Sequence, residues 1–213
     1  MNKFHWINSI LKYHALIIVI CFFFVGCNKV VYPKNAPIIS SDFHSDTHVD
    51  GQRRQRLHQG IDILAKHAEK VIAVADGIAL KVGAEKCWGP TIIIDHGKAI
   101  DGENIVAIYS HLNEILIKTG ENIKRGQLIG TFDTKKYNYE CLIGIEPHFH
   151  FQIGRSFSPS YQQSKNWGWR YKVYDIDKGV NPHMYWADGV NKITCFDNRK
   201  KYRPGTITYP VPC

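Results

Sequence analysis

The chain has no internal repeat, no long low-complexity tract, no C-x-x-C pair and no dense stripe of lysine and arginine. The first two absences speak against a repeat array and against disorder along the whole chain. The third argues against a cysteine-built zinc site, and the fourth removes nucleic acid from the expected partners. No apolar run reaches the roughly 20 residues that a membrane-crossing helix needs. No long stretch carries a helical period either, so a helix-dominated fold is not expected. What remains is a 213-residue chain of ordinary apolar content with a formal charge of +8.

The longest apolar run, residues 15–25, reads ALIIVICFFFV and follows Lys3 and Lys12. Its length and basic flank suit the core of a secretory signal peptide. The run ends in Phe24-Val25-Gly26-Cys27. Small residues before a cysteine resemble a lipobox, in which Cys27 becomes the lipidated first residue. A plain signal peptide and a retained anchor helix are the alternatives. Residues 1–26 are therefore read as a lipoprotein signal peptide and 27–37, with Pro33 and Pro37, as a lipidated tether. The expected location is the cell envelope, on the periplasmic face of a Gram-negative membrane. Loss of 1–26 takes two lysines and no acid, leaving a mildly basic remainder that suits an anionic surface.

Beyond Cys27 stand Cys87, Cys141, Cys195 and Cys213. An exported chain with an even count favours two disulfides. Three connectivities are open; the favoured one is Cys87–Cys141 with Cys195–Cys213, the second pinning the tail 187–213.

From residue 38 onward the sequence reads as β structure. Residues 71–75, 78–82, 91–95, 105–110, 127–131 and 148–153 are short runs rich in β-branched or aromatic residues, bounded by Gly, Pro, Asn or Asp. Asp76-Gly77 is a hairpin signal between two of them. The expectation is an all-β fold of antiparallel sheets with few short helices. Residues 155–180, holding Trp167, Trp169, Tyr171 and Tyr174, read as a long loop, and Asn181-Pro182 as a turn.

Three elements carry chemistry. In Leu57-His58-Gln59-Gly60-Ile61-Asp62-Ile63, an extended backbone puts His58, Gly60 and Asp62 on one face and Ile61 and Ile63 on the other. Imidazole and carboxylate are both good zinc ligands, with a glycine between them that lets a ligand approach. Taken alone, this spacing is a weak signal. In Pro147-His148-Phe149-His150-Phe151-Gln152-Ile153 the alternation is strict: Phe149, Phe151 and Ile153 face a core, while His148, His150 and Gln152 face outward. Two neighbouring outward histidines on one strand are hard to explain by stability. The third element, Tyr109-Ser110-His111-Leu112, gains weight from the other two. His44, His48 and Asp50 also lie close together, and a polar loop is the reading preferred there over a second metal site. His96 and His183 read as structural, and His67 as exposed.

In order, H-x-G-x-D, Y-x-H-L and P-H-x-H-F resemble the signature of M23 peptidases of the LytM/lysostaphin type. The stretches Ala75-Asp76-Gly77, Ile94-Asp95-His96-Gly97 and GENIKRGQLIG from Gly120 resemble that family too, so the similarity covers about 38 to 153. The resemblance implies one zinc ion held by His58, Asp62 and His150, with His111 and His148 as the catalytic pair. It implies a fold of antiparallel sheets forming a groove, and a zinc endopeptidase that cleaves peptide cross-links or bridges of peptidoglycan through activated water. The peptidase domain is then 38–186. An inactive adaptor that activates other wall hydrolases is the alternative. A biotinyl or lipoyl carrier, suggested by 120–130, lacks the exposed lysine such a carrier needs. The family's Gly/Ser/Thr-rich loop before the P-H-x-H strand is replaced here by TFDTKKYNYECLIGIE, residues 131–146, which leaves substrate preference open.

Overall fold

The computed structural model describes residues 29–65, 69–86, 88–132, 134, 145–157 and 179–213. Nine strands follow in order: β1 Ile61–Leu64, β2 Lys70–Ile72, β3 Gly77–Glu85, β4 Gly89–Lys98, β5 Asn104–Ser110, β6 Glu114–Ile115, β7 Asn122–Ile123, β8 Leu128–Thr131 and β9 His148–Gly154. They form a six-stranded sheet, β1-β9-β5-β4-β3-β7, and a three-stranded sheet, β2-β8-β6. Every neighbouring pair is antiparallel. The fold is all-β; its one named helical element among the described residues is a 3-10 turn, Pro182–Met184, capped by Asn181.

Burial explains the strand sequences. One apolar cluster joins both sheets, taking Ile61 and Ile63 from β1, Val71 from β2, Tyr109 from β5, Ile129 from β8 and Phe149, Phe151 and Ile153 from β9. In β4, Ile92 and Ile94 enter this cluster, while Ile93 points the other way into a smaller one with Val106 and Ile108. A strand covered on both faces reads as an unbroken apolar run rather than an alternating one. Each such side chain contributes about 1.5–3 kcal/mol of burial.

Asp76-Gly77 does not form the expected hairpin. Strand β2 pairs with β8, and β3 with β4 and β7, so the chain changes sheets there. Gly77 is needed for close approach instead: a Cβ would collide with the Asp95 carbonyl oxygen on β4. The segment 187–213, read as a tail, supplies Ile193, Ile207, Tyr209 and Val211 to the main core. Cys195 and Cys213 form a disulfide with a Cα–Cα distance of 5.8 Å. Cys87 and Cys141 lie outside the described residues. The expected tether is also shorter than its sequence suggests, because Val30, Tyr32 and Ala36 already pack against the core.

His96 ties the large sheet to the segment that follows β2. Its Nδ1 lies 3.0 Å from the Asp76 carbonyl and its Nε2 lies 2.9 Å from the Tyr109 hydroxyl. That hydroxyl in turn accepts from the Val74 N–H at 3.1 Å. Since the Asp76 carbonyl only accepts, Nδ1 carries the proton and Nε2 accepts from Tyr109. Burial lowers His96 to about 4.

Two outcomes follow. The folded chain resists protonation of His96 while the unfolded chain takes a proton near pH 6.5. The His96 contribution is therefore complete above about pH 6.5 and falls as pH drops toward 4. Thermal melts across that window should show a steeper loss for the natural chain than for His96→Gln. Opening the disulfide, which spans 18 residues, with Cys195→Ser should cost about 3 kcal/mol in urea unfolding.

Candidate metal and catalytic site

The register of three strands assembles the site. Asp62 on β1 faces His150 on β9, which faces Ser110 at the end of β5, so His111 follows directly beside the pair. His58 sits one turn of chain before β1. A Cβ at Gly60 would collide with the Phe151 carbonyl oxygen and crowd the His150 ring. The glycine therefore admits strand β9 and its histidine, rather than an incoming ligand.

His58 Nε2, Asp62 Oδ1 and His150 Nδ1 converge. The imidazole nitrogens are 3.1 Å apart, and they stand 3.1 and 2.7 Å from the carboxylate oxygen. All three residues are buried. The outer ring nitrogens fix the tautomers. His58 Nδ1 is 3.0 Å from the Asp42 carbonyl, which only accepts, so Nδ1 bears the hydrogen. His150 Nε2 donates to Gln152 Oε1 at 3.2 Å. The three inward atoms thus all carry lone pairs at contact distance. A shared proton relieves one such contact; a small cation at the centre relieves all three. This donor set of two imidazoles and one carboxylate fits a zinc ion and leaves a fourth tetrahedral position open.

Burial would raise the Asp62 carboxyl. With a proton on these rings rather than a cation between them, the His58 and His148 charges and the bonds from His150 and His58 outweigh it and hold the group well below the usual carboxylate range. Its second oxygen accepts from Arg54 at 2.6 Å, in a pair whose side chains are 14% and 1% exposed. Arg54 is itself anchored by its Nε to the Thr47 carbonyl at 3.0 Å. Burial also keeps His150 below its ordinary value despite the bond to Asp62.

His111 and His148 stand alongside, with ring centroids 4.8 Å apart. Each has its Nδ1 on a backbone carbonyl: His111 on Trp88 at 2.9 Å, His148 on Glu146 at 2.8 Å. Both rings therefore keep their basic lone pair on Nε2. His148 Nε2 lies 3.8 Å from Asp62 Oδ2. Burial first, then the charges of His148 and His150, hold His111 well below its ordinary value, so it is neutral at pH 7. His111 also has a left-handed backbone, φ 64°. For a non-glycine residue this is strained by about 1–2 kcal/mol. The Trp88 carbonyl, which also accepts the His111 N–H at 3.2 Å, holds it there.

All five histidine and aspartate residues expected from the sequence are thus brought together. The face of β9 that carries His148, His150 and Gln152 is buried, not solvated as an outward face would be, because the His58 and Trp88 segments cover it. His44, His48 and Asp50 assemble no second metal group among the described residues. His67, most of 131–146 and most of 155–180 lie outside the described residues. Sequence reasoning missed Arg54 and the support behind His58. There, Trp186 Nε1 donates to His183 Nδ1 at 2.9 Å, and His183 Nε2 donates to Asp42 Oδ1 at 2.8 Å. The side chain of Asp42 is thereby fixed while its carbonyl orients His58. Arg54 stood in Arg53-Arg54-Gln55-Arg56, with no period to single it out.

Fold and site together define an antiparallel β protein that presents a compact His–Asp–His donor set with two further histidines beside it. Residues 56–163 match the model of peptidase family M23, and the chain belongs to that family. It is 33% identical over 76 residues to the peptidoglycan DD-endopeptidase ShyC of Vibrio cholerae, covering 36% of this chain and 16% of that one. It is 29% identical over 106 residues to the murein hydrolase activator NlpD of Escherichia coli, covering 48% of this chain and 25% of that one. A solved zinc-containing peptidase from Vibrio cholerae superposes with a TM-score of 0.43 at 27% identity, covering 59% of this chain and 35% of that one. The chain spans a quarter or less of these curated relatives' own length.

Removing the guanidinium leaves one oxygen of a buried carboxylate without its charged partner. Arg54→Ala should therefore weaken zinc binding by about 10–100-fold in calorimetric titration, the usual effect of losing a group that orients a ligand. Arg54→Lys should recover only part, since one ammonium cannot hold Thr47 and Asp62 together in the same fork.

Proposed function

We propose that this chain is a zinc metalloendopeptidase acting on the peptide part of bacterial peptidoglycan, at a stem-peptide cross-link or a short bridge. The observation that carries this reading is the meeting of three lone-pair atoms on His58, Asp62 and His150 beside two histidines with matched tautomers. Those three residues would hold one zinc ion. Zinc, when bound, supplies a Lewis acid and lowers the pKa of water toward 7. The rest belongs to the protein. His111 and His148, each donating Nδ1–H to a carbonyl, are oriented to accept a proton at Nε2 and return it to the leaving amine. Once protonated, either ring stabilises negative charge developing on the scissile carbonyl oxygen. Arg54 keeps Asp62 ionised and its outer oxygen occupied.

The substrate class is supported by family membership and by the activity named for the Vibrio cholerae relative. The same reading places the chain in the envelope as a lipoprotein carried by a lipid on Cys27, with residues 1–26 as its signal and 38–186 as its peptidase domain. The Escherichia coli relative is named as an activator of murein hydrolases, which supports an adaptor role as the second reading. The complete set of five residues favours the enzyme.

The test is digestion of purified peptidoglycan by the detergent-solubilised chain. New amino termini should be released, lost with a chelator and restored by zinc. His150→Ala should lose metal and activity together. His111→Ala should keep the metal and lose turnover by about 10²–10⁴-fold. One bound zinc without cleavage of any wall would favour the adaptor, and no bound zinc would remove the metal reading.

A further inference from the structure

The first described residues are laced to the C-terminal segment. Val31 donates its N–H to the Asn191 carbonyl at 2.8 Å and accepts from the Ile193 N–H at 3.0 Å, as a parallel bridge to Lys192. Lys34 lines one open depression of about 690 Å³ together with Arg199 and Lys200. Lys34, Lys192, Arg199, Lys200, Lys201 and Arg203 are all exposed. The segment 187–213 opposes its five cations with only Asp188 and Asp197, and Asp197 is bonded to Arg199 at 2.9 Å. The Cys195–Cys213 bridge and the Arg125–Tyr202 stack, 4.8 Å from cation to ring, hold this loop in place.

The loop lies at the end of the domain away from the histidines. Gly205 accepts from the Ile100 N–H at 3.1 Å, beside the turn that joins β4 to β5. His111 follows the opposite end of β5, so the two ends are separated by about 20 Å of strand.

We propose that this basic face is the surface by which the domain lies on an anionic lipid bilayer. The inference rests on the lipid anchor at Cys27. Four residue-to-residue steps lead from Cys27 to the bridge at Val31, a reach of at most about 14 Å. With the anchor in the bilayer, the Val31–Lys192 bridge stands close to the headgroups, and the exposed lysines and arginines beside it fall within range of their charge. No longer tether intervenes, because Val30 and Tyr32 already pack on the core. An anionic wall polymer has the same charge but is not held next to this face by the chain itself. The consequence is orientation: the catalytic end points away from the membrane, toward the wall.

The test uses the full lipidated chain in vesicles of phosphatidylcholine, alone or with about 30% phosphatidylglycerol, an anionic fraction that gives a negative surface. Flotation reports the anchor, and labelling by a membrane-impermeant amine reagent, read by mass spectrometry, reports each lysine. Lys34, Lys192, Lys200 and Lys201 should label several-fold more slowly on anionic than on neutral vesicles, while Lys70 and Lys86 should not change. High salt should abolish the difference, and Lys200→Glu/Lys201→Glu should restore labelling at Lys34 and Lys192 without altering wall digestion. Equal labelling on both vesicles, with flotation intact, overturns the proposal. So does protection that needs added peptidoglycan rather than anionic lipid, which assigns the face to the wall. A chain that floats with neither vesicle lacks the anchor, and the docking falls with it.

Discussion

A carboxylate with no exposure to water has to be compensated from every side, and Asp62 is compensated by four residues from two parts of the chain, the segment before β1 and strand β9. His58 and His150 meet one oxygen; Arg54 meets the other at 2.6 Å, with His148 at 3.8 Å beyond it. An ion pair this dry is weak evidence for stability, because desolvation offsets most of its Coulombic gain. Its effect is specificity. Any shift of β1 against β9 by one residue would turn Asp62 into the apolar cluster and Ile61 into the histidines. The buried charge thus fixes the register that the isoleucines and phenylalanines stabilise.

The same constraint organises the periphery. Arg54 reaches Asp62 only because the segment before β1 folds back, with Ser41 bridging Asp62 and Thr47 bridging Arg53. Asp42 in that segment uses its carbonyl on His58 and its carboxylate on His183. The burial that would raise the Asp42 carboxyl is outweighed first by the hydrogen bond from His183, so it stays ionised. Trp186 closes the chain of contacts by bonding His183 and packing at 5.9 Å on Tyr209. The C-terminal segment is therefore part of what orients a metal-type histidine, although it is far from it in sequence.

Legibility in the sequence followed the physics of each signal. The alternation in β9 was readable because side-chain period two is a local property, and Phe149, Phe151 and Ile153 do enter the core. The five residues that the structure brings together were readable by type and order. Asp76-Gly77 announced a turn, but a turn does not name the partner of the next strand, and the chain changed sheets. Ile207, Tyr209 and Val211 alternate in the same way as β9, yet Pro210 and Pro212 gave the segment the look of a tail. Proline removes a ladder donor without preventing its neighbours from burying side chains. Arg54, Asp42 and His183 were not readable as a support system. Their partners are fixed by loop closure over 8 to 141 residues, and no local pattern encodes that.

The strain at His111 fits this division of labour. A left-handed histidine costs energy that the fold must supply, and here the Trp88 carbonyl accepts from both its ring and its backbone N–H. Trp88 is itself held by its N–H on Glu85 at 2.7 Å, in the turn that links β3 to β4. The position of His111 is thus set by the central strands of the large sheet, whereas His58 is set by the N- and C-terminal segments. His150 and His148, on β9, lie between the two. Two independently braced halves meet at one buried carboxylate, and among the described residues the donors are held by strand register and by backbone carbonyls.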